Sequence, residues 1–263
     1  MLIACEYGIP TDLPIMPTVG TTGPITLAGT LALANAEYLG TAVLAQTARP
    51  GHEMPYFLDP LVADMRSGVP LFGAPEVGLL NAAIAQLGWE FYGMPPAGIG
   101  LTSDGFSYEQ ALFQRAQNAV MQCMAGGKLI VGAGLVEAAM ALSPVQLVMD
   151  NEIMDIARRW VRGLEVNKGT LAVEAINRVG ARGHFLADVH TRRYLRSGEL
   201  IGTEIFDRDR RDTWERKGRK NLEQKAREKA YAILERHKVE PLPDAAVKEL
   251  DSIVRRADQA VAA

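Results

Sequence analysis

The sequence predicts an α/β fold in which parallel strands alternate with crossover helices. Three observations carry this. Short apolar runs alternate with helical stretches about four times before residue 182, joined by short loops. Residues 17–51, PTVGTTGPITLAGTLALANAEYLGTAVLAQTARPG, read as one strand–turn–helix unit whose polar groups gather at the downstream end of the strand. Two later helices open on capping chemistry, at Ser107 and Ser143. In an α/β barrel or a doubly wound sheet, the downstream strand ends are where chemistry is done. Candidate functional residues are sought there.

Taken in order, residues 2–9 read as a strand whose downstream end carries Glu6, Tyr7 and Gly8. Residues 13–19 read as a second strand, ending in Gly20-Thr21-Thr22-Gly23. Pro24 suits a first helical turn, with Thr22 or Gly23 as N-cap. The Ala- and Leu-rich helix that follows stops at Arg49-Pro50-Gly51, and its small residues Ala28, Gly29, Ala32 and Ala36 permit close approach to a sheet. Residues 54–58 read as a third strand, leading to a loop with Asp59, Asp64 and Arg66. A helix then runs from Ala74-Pro75-Glu76 to Tyr92-Gly93, with proline near its start and glycine after its end.

Residues 97–101 form the next predicted strand, tipped by Thr102, Ser103 and Asp104. Ser107 and Gln110 stand at capping-box spacing before a helix that stops at Gly126-Gly127. Residues 128–131 make a compact strand ending in Gly132-Ala133-Gly134, and Ser143-Pro144-Val145-Gln146 opens a helix to about Gly163. Residues 170–179 read as a shorter helix stopped by Gly180. Composition shifts near Gly183, which divides a β/α region, residues 1–182, from a helical extension, residues 183–263. The run 207–229 mixes both charge signs and reads as a solvated helix. The tail carries Leu250, Ile253 and Val254 at helical spacing and is expected to pack on the outside of the domain.

The totals exclude several classes. The 263 residues suffice for one large α/β unit, and 48% hydrophobic with 22% charged residues is ordinary for a globular chain. A net charge of -3 gives no electrostatic reason to expect nucleic acid or an anionic membrane as partner. Cys5 and Cys123 are the only cysteines, so no disulfide framework exists and a reducing, cytoplasmic location is the default. No metal site is expected, because no His or Cys set has ligand spacing. The N-terminus lacks the basic and apolar regions of a signal peptide. The Ala/Leu helix carries Asn35, Glu37 and Gln46, and no stretch reads as long and apolar enough to span a bilayer. The chain opens directly in an apolar run, where a domain more often has a polar lead-in, so its first strands are expected to be missing.

TTGPITLAGTLALANAE, LAQTARPG, DMRSGVPLFGAPE, LTSDG and the pair GHFL and HT resemble the trimethylamine methyltransferase family, the corrinoid-dependent methylamine and betaine methyltransferases. The resemblance covers essentially the whole chain. It implies an incomplete TIM (β/α)8-type barrel, the C-terminal half, with the helical extension packed on it. It also implies methyl transfer from a small methylated amine to the cobalt of a corrinoid (cobalamin) carried by a separate cognate protein, with no cofactor held permanently by this chain. The sequence shows no non-standard residue, so it is similar to the branch without pyrrolysine. The matching position should fall near residues 101–107. A quaternary amine such as glycine betaine is then the easier substrate, since it leaves as a neutral amine without needing a proton, whereas trimethylamine must first be activated.

A quaternary ammonium neither donates nor accepts hydrogen bonds, and is held by aromatic faces and carboxylates. Glu6, Asp64 and Asp104 are the catalytic candidates. Tyr7, Tyr56, Phe57, Thr21, Thr22 and Glu137 are the substrate-binding candidates. Core packing is the rival account for the aromatics, helix capping for Thr22, and an ordinary first-turn glutamate for Glu137. Asp59 precedes Pro60 and is better explained as a turn residue. Asp188-Val189-His190 begins like a corrinoid-binding Asp-x-His-x-x-Gly motif, but Arg193 stands at the glycine, so His184 and His190 are assigned structural or docking roles. A barrel aldolase or lyase would need a Schiff-base lysine at a strand end, and Lys128 lies at the wrong end of its strand. The alternative from another class is a non-catalytic or truncated half-barrel that folds with a partner half or self-associates into a homo-oligomer through its exposed strand edges.

Overall fold

The computed structural model describes residues 1–11, 13–105 and 107–262, the last two without their side chains. Its elements are α1 (Leu2–Tyr7), β1 (Thr18–Val19), α2 (Leu27–Ala48), β2 (Tyr56–Phe57), β3 (Leu61–Ala63), β4 (Pro70–Leu71), α3 (Pro75–Gln86), β5 (Pro96–Ile99), α4 (Tyr108–Met124), β6 (Leu129–Val131), β7 (Leu135–Val136), β8 (Ala141–Leu142) and α5 (Pro144–Arg162). The extension adds α6 (Val173–Val179), α7 (Val189–Tyr194), α8 (Arg211–Arg216), α9 (Leu222–Arg236) and α10 (Asp244–Ala262).

The central strands are parallel and ordered as in the chain. β1 pairs with β3 in parallel, and β2 with β5 and β5 with β6 likewise. These two small sheets share one stretch of chain, since β2 and β3 belong to the single extended segment 56–63. The Asp59 and Leu61 amides donate to the Ile15 and Pro17 carbonyls at 2.9 and 3.1 Å, and the Ile99 amide donates to Asp59 Oδ1 at 3.1 Å. The resulting order is 15–19, 56–63, 96–99, 129–131. Helices α2, α3 and α4 are the crossovers, and α3 and α4 lie side by side. The described residues form no closed barrel.

Local sequence explains most boundaries. The Ser107 and Ser143 hydroxyls accept the Gln110 and Gln146 amides at 3.3 and 3.2 Å, capping α4 and α5 as their spacing predicts. Pro75 opens α3. That helix widens into a π-helical turn at Leu87–Tyr92 and closes on Gly93 in the left-handed conformation. Two expectations are corrected. Residues 2–9 are not a strand: Leu2–Tyr7 is helical and is closed by Gly8 at φ 67°, whose amide reaches the Cys5 carbonyl. Pro24 lies before α2, which starts after Thr26, and the Pro24 carbonyl instead accepts the Thr30 hydroxyl at 2.7 Å.

One core lies between α2 and the sheet, where Ala34, Tyr38, Tyr56, Leu58 and Ile84 are sealed from solvent. Tyr56 and Tyr92 both donate to Asn35 Oδ1 at 2.9 Å, and Tyr38 meets Tyr56 edge-on at 4.9 Å. The rest of α2 is largely open to solvent. With 22 residues and a window of mean hydropathy 1.2, α2 is long and apolar enough to cross a bilayer by length and composition, contrary to the sequence expectation.

A second core joins α5 to α9 through Val145, Val148, Met149, Ile205, Ala226 and Ala230. The charged run is solvated, with exposed pairs such as Lys217–Asp209 at 2.6 Å and Arg227–Glu223 at 2.7 Å that contribute little to stability. The apolar side chains of α10, Val247, Leu250, Ile253 and Val254, are exposed and not packed on the domain as expected.

Arg178 donates two hydrogen bonds to Asp188, which also receives the His190 amide at 2.8 Å as the cap of α7. Arg178 first, and the amide second, hold the Asp188 carboxyl below the usual carboxylate range. A depressed carboxyl contributes above its unfolded pKa and loses that contribution as pH falls through its folded value. The His190 amide resonance should therefore move only under acid conditions, below the usual carboxylate titration. Movement that sets in near neutral pH would overturn this assignment to Asp188.

Candidate functional site

Four loops meet at the downstream ends of the strands. The turn after β1 reaches the loop after β3, because a side chain added at Gly20 would meet Met65 Sδ at 2.5 Å. β4 returns antiparallel along β3 and delivers Phe72 and Gly73, whose amides donate to the Asp104 carboxylate at 2.6 to 3.1 Å. The 102–104 segment in turn binds the β7–β8 hairpin, through the Ala138 amide and the Ser103 carbonyl at 2.9 Å. Beneath the hairpin tip, Ala138 and Ala139 pack against Leu61, Phe72 and Ile99. A continuous rim thus runs through residues 18–23, 64–73, 102–104 and 132–140.

Several predicted residues lie on this rim. Thr21, Asp64, Asp104 and Glu137 are there, but two of the carboxylates are engaged. Asp104 is bound by two backbone amides and by Gln114 Nε2 at 3.0 Å, so it fastens the start of α3 to α4. Asp64 closes its own turn, accepting the Arg66 amide at 2.9 Å and the Ser67 hydroxyl at 3.0 Å, and the Arg66 amide is the main reason its carboxyl is held low. Glu137 is exposed and has no ion-pair or hydrogen-bond partner for its carboxylate among the described residues. Thr22 accepts the Thr18 amide at 2.8 Å, and Thr21 donates to the Thr18 carbonyl at 3.3 Å, so both brace the turn.

Other candidates lie elsewhere. Glu6 and Tyr7 sit on α1, docked at the end of α2 where Arg49 donates to the Cys5 carbonyl at 2.8 Å. Since α2 starts beside the downstream end of β1 and runs back, that is the opposite end of the sheet. Tyr56 is sealed in the tyrosine cluster, where burial pushes its phenol upward. Phe57 is half-buried on β2, upstream of the rim. No aromatic cage for a quaternary ammonium is assembled from these residues. Lys128 stands at the start of β6 with its ammonium over Trp89, 5.7 Å from the ring centre.

The sequence reading missed the feature that organises the rim. Arg115 of α4 and Asp150 of α5 form an ion pair at 2.6 Å with both side chains almost wholly buried. Arg115 also donates to the Leu101 and Leu135 carbonyls and to Ser103 Oγ. Asp150 also accepts the Gly134 amide at 2.6 Å and Gln146 Nε2 at 2.8 Å. Burial pushes the Asp150 carboxyl above the usual carboxylate range, with Arg115 chiefly pulling it back. Thr102 was noted only as a strand tip. Its buried hydroxyl has no hydrogen-bond partner among the described residues and lies where a side chain on Gly132 would fall.

The hairpin tip is strained. Glu137, Ala138 and Ala139 all have positive φ, at 56°, 52° and 66°. Each such non-glycine residue costs roughly 1–2 kcal/mol. The Ala138 amide bond to Ser103 and the packing of Ala138 and Ala139 onto the strand ends hold this conformation.

A parallel α/β sheet thus gathers oxygen-rich loops at one end, with Gly-Ala-Gly in place of a dinucleotide fingerprint. The chain belongs to the trimethylamine methyltransferase (MTTB) family, whose pattern matches residues 12–262. It is 36% identical to trimethylamine methyltransferase MttB of Methanosarcina barkeri over 256 residues, which is 97% of this chain and 51% of that protein. Against MttB of Desulfitobacterium hafniense the identity is 35% over 95% of this chain and 50% of the relative. Against glycine betaine methyltransferase of Desulfitobacterium hafniense strain Y51 it is 32% over 96% and 52%. The chain spans about half the length of the curated relatives it matches.

Proposed function

We propose that this chain contributes the strand-end rim of a methyltransferase that takes a methyl group from a methylated, preferably quaternary, amine. The family match over residues 12–262 carries the reading. The parallel strands in chain order fit part of a (β/α)8 barrel. A corrinoid on a separate cognate protein would supply a cobalt nucleophile. Among the described residues no three His, Cys, Asp or Glu side chains converge on a metal. The rim offers oxygen atoms suited to a cationic amine instead.

In this reading Glu137 is the charge that holds the ammonium. As the methyl group leaves, the C–N electron pair stays on nitrogen and the positive charge disappears. A carboxylate that bound the cation too tightly would stabilise substrate over transition state. An exposed carboxylate avoids this, because water screens it to about 1 kcal/mol at 4 Å. Glu137→Gln is expected to weaken quaternary ammonium binding by about fivefold, in keeping with one screened charge. Unchanged titration of tetramethylammonium would remove Glu137 from the site.

The test of the whole reading is methyl transfer to free cob(I)alamin, followed by visible absorbance, with trimethylamine, glycine betaine, carnitine and proline betaine as donors. Methylcobalamin formed with a quaternary amine supports it. Failure of the folded chain, both alone and with a polypeptide matching the remaining half of a relative, overturns it.

A second reading, a half-barrel that works only with a partner half or as a homo-oligomer, is favoured by its exposed apolar side chains. Ile3 is 72%, Leu164 82% and Leu186 83% exposed. Sedimentation of the isolated chain decides whether it self-associates.

A further inference from the structure

We propose that Arg115 and Asp150 are positioning residues, whose task is to hold the β7–β8 hairpin, and with it Glu137, over the strand ends. The functional half of this inference rests on the reading of the rim as an amine site. The structural half stands on geometry. The pair joins α4 to α5, yet apart from the bond from Gln146 of α5 its remaining hydrogen bonds are directed at the strand end at Leu101 and at the rim. Arg115 grips the Leu135 carbonyl and Asp150 the Gly134 amide, so the first strand of the hairpin is held at its root by two adjacent residues. Arg115 also fixes Ser103 through its hydroxyl, and the Ser103 carbonyl receives the Ala138 amide at the hairpin tip. Root and tip are therefore anchored to the same guanidinium, one directly and one through Ser103.

A pair present only for stability would be a poor choice here. Burying two charges costs about as much as their attraction returns, and apolar side chains of the same volume serve a helix contact at least as well. What apolar side chains cannot do is bond a carbonyl and an amide on a strained hairpin. Three consecutive left-handed residues would otherwise relax and carry Glu137 away.

The experiment is amide hydrogen exchange on the full 263-residue chain, read for peptides covering residues 132–143 and Pro75–Gln86. Asp150→Asn is expected to speed exchange in 132–143 by about tenfold while α3 is unchanged, since opening would be local. Gln146→Met removes one hydrogen bond to Asp150 but keeps the ion pair, and should give a smaller rise in the same peptide. It decides the matter if Asp150→Asn does not fold. Arg115→Lys should retain protection that Arg115→Met loses. Exchange in 132–143 that stays at the wild-type rate, or rises only in proportion to α3, overturns the proposal.

A parallel titration with tetramethylammonium separates the two halves of the argument. If wild-type protein binds it, Gln146→Met should weaken binding, and unchanged binding with a loosened hairpin overturns the functional half. If wild-type protein does not bind it, the amine reading of the rim fails, and exchange still decides the clamp.

Discussion

Asp150→Ala should lower the free energy of unfolding by about 3–5 kcal/mol, because it leaves Arg115 as an unpaired buried charge. Equilibrium denaturation with guanidinium or urea measures it. The usual remedy for such a loss, replacing both charges by apolar residues, is expected to recover only part of it. Arg115→Met combined with Asp150→Leu removes the stranded charge. It also leaves the Leu101 and Leu135 carbonyls and the Gly134 amide without these partners. Each unsatisfied buried group costs about 1–3 kcal/mol. A double variant as stable as wild type would show that the backbone groups find water, and that the pair is replaceable.

Gly132→Ala is expected to cost roughly 2–5 kcal/mol, the sum of two separate effects. Gly132 has φ 95°, so any Cβ carries strain. The added methyl would also overlap the buried Thr102 hydroxyl and approach Ile99 and the Leu101 backbone at 3.2 Å. Gly51 is the control, since it has φ 80° with nothing within 4 Å of an added Cβ. Gly51→Ala should lose only the strain, about 1–2 kcal/mol. Equal losses at the two positions, compared by urea midpoints, would mean that the loop after β6 gives way easily and that the Thr102 contact is soft.

The parts of the fold legible in the sequence are those set by local chemistry. Ser107 with Gln110, Ser143 with Gln146, Pro75 and Gly93 each fixed a boundary through one or two nearby groups. The alternation of strand and helix gave the parallel order because crossover connections leave few choices. Residues 2–9 were misread because a short apolar run has no periodicity that separates strand from helix. Only Cys5 of α1 is buried, so there was no alternation to find. Pro24 was placed one turn too early because its neighbour Thr30 reaches back to it, a contact six residues long that spacing rules do not include.

The site was less legible than the fold. The sequence put carboxylates near strand ends correctly for Asp64, Asp104 and Glu137, but could not show that Asp104 is occupied by Phe72 and Gly73, more than thirty residues away in sequence. Tyr56 was offered as an aromatic face, and its partner Asn35 was noted only as a polar residue that counts against a membrane span. Arg115 and Asp150 were invisible for a related reason: a buried arginine in QRAQNAV and a buried aspartate in VMDNEI look like ordinary polar positions of amphipathic helices. The one signal available was spacing, since Arg115 and Asp150 each stand about two turns from a capped helix start and so near the strand ends.

The three left-handed residues of the hairpin tip leave the chain with stability in reserve. Glycine adopts that conformation without steric cost, and the sequence has 25 glycines but none at 137–139. Ala139→Gly would relieve about 1–2 kcal/mol of strain and give back about 0.4–1 kcal/mol to the freer unfolded chain. The net expectation is a protein more stable by up to about 1.6 kcal/mol, readable as a raised urea midpoint. An ordinary mutational walk could reach that gain at this one loop, and the cost would be a looser seat for the glutamate two residues before it.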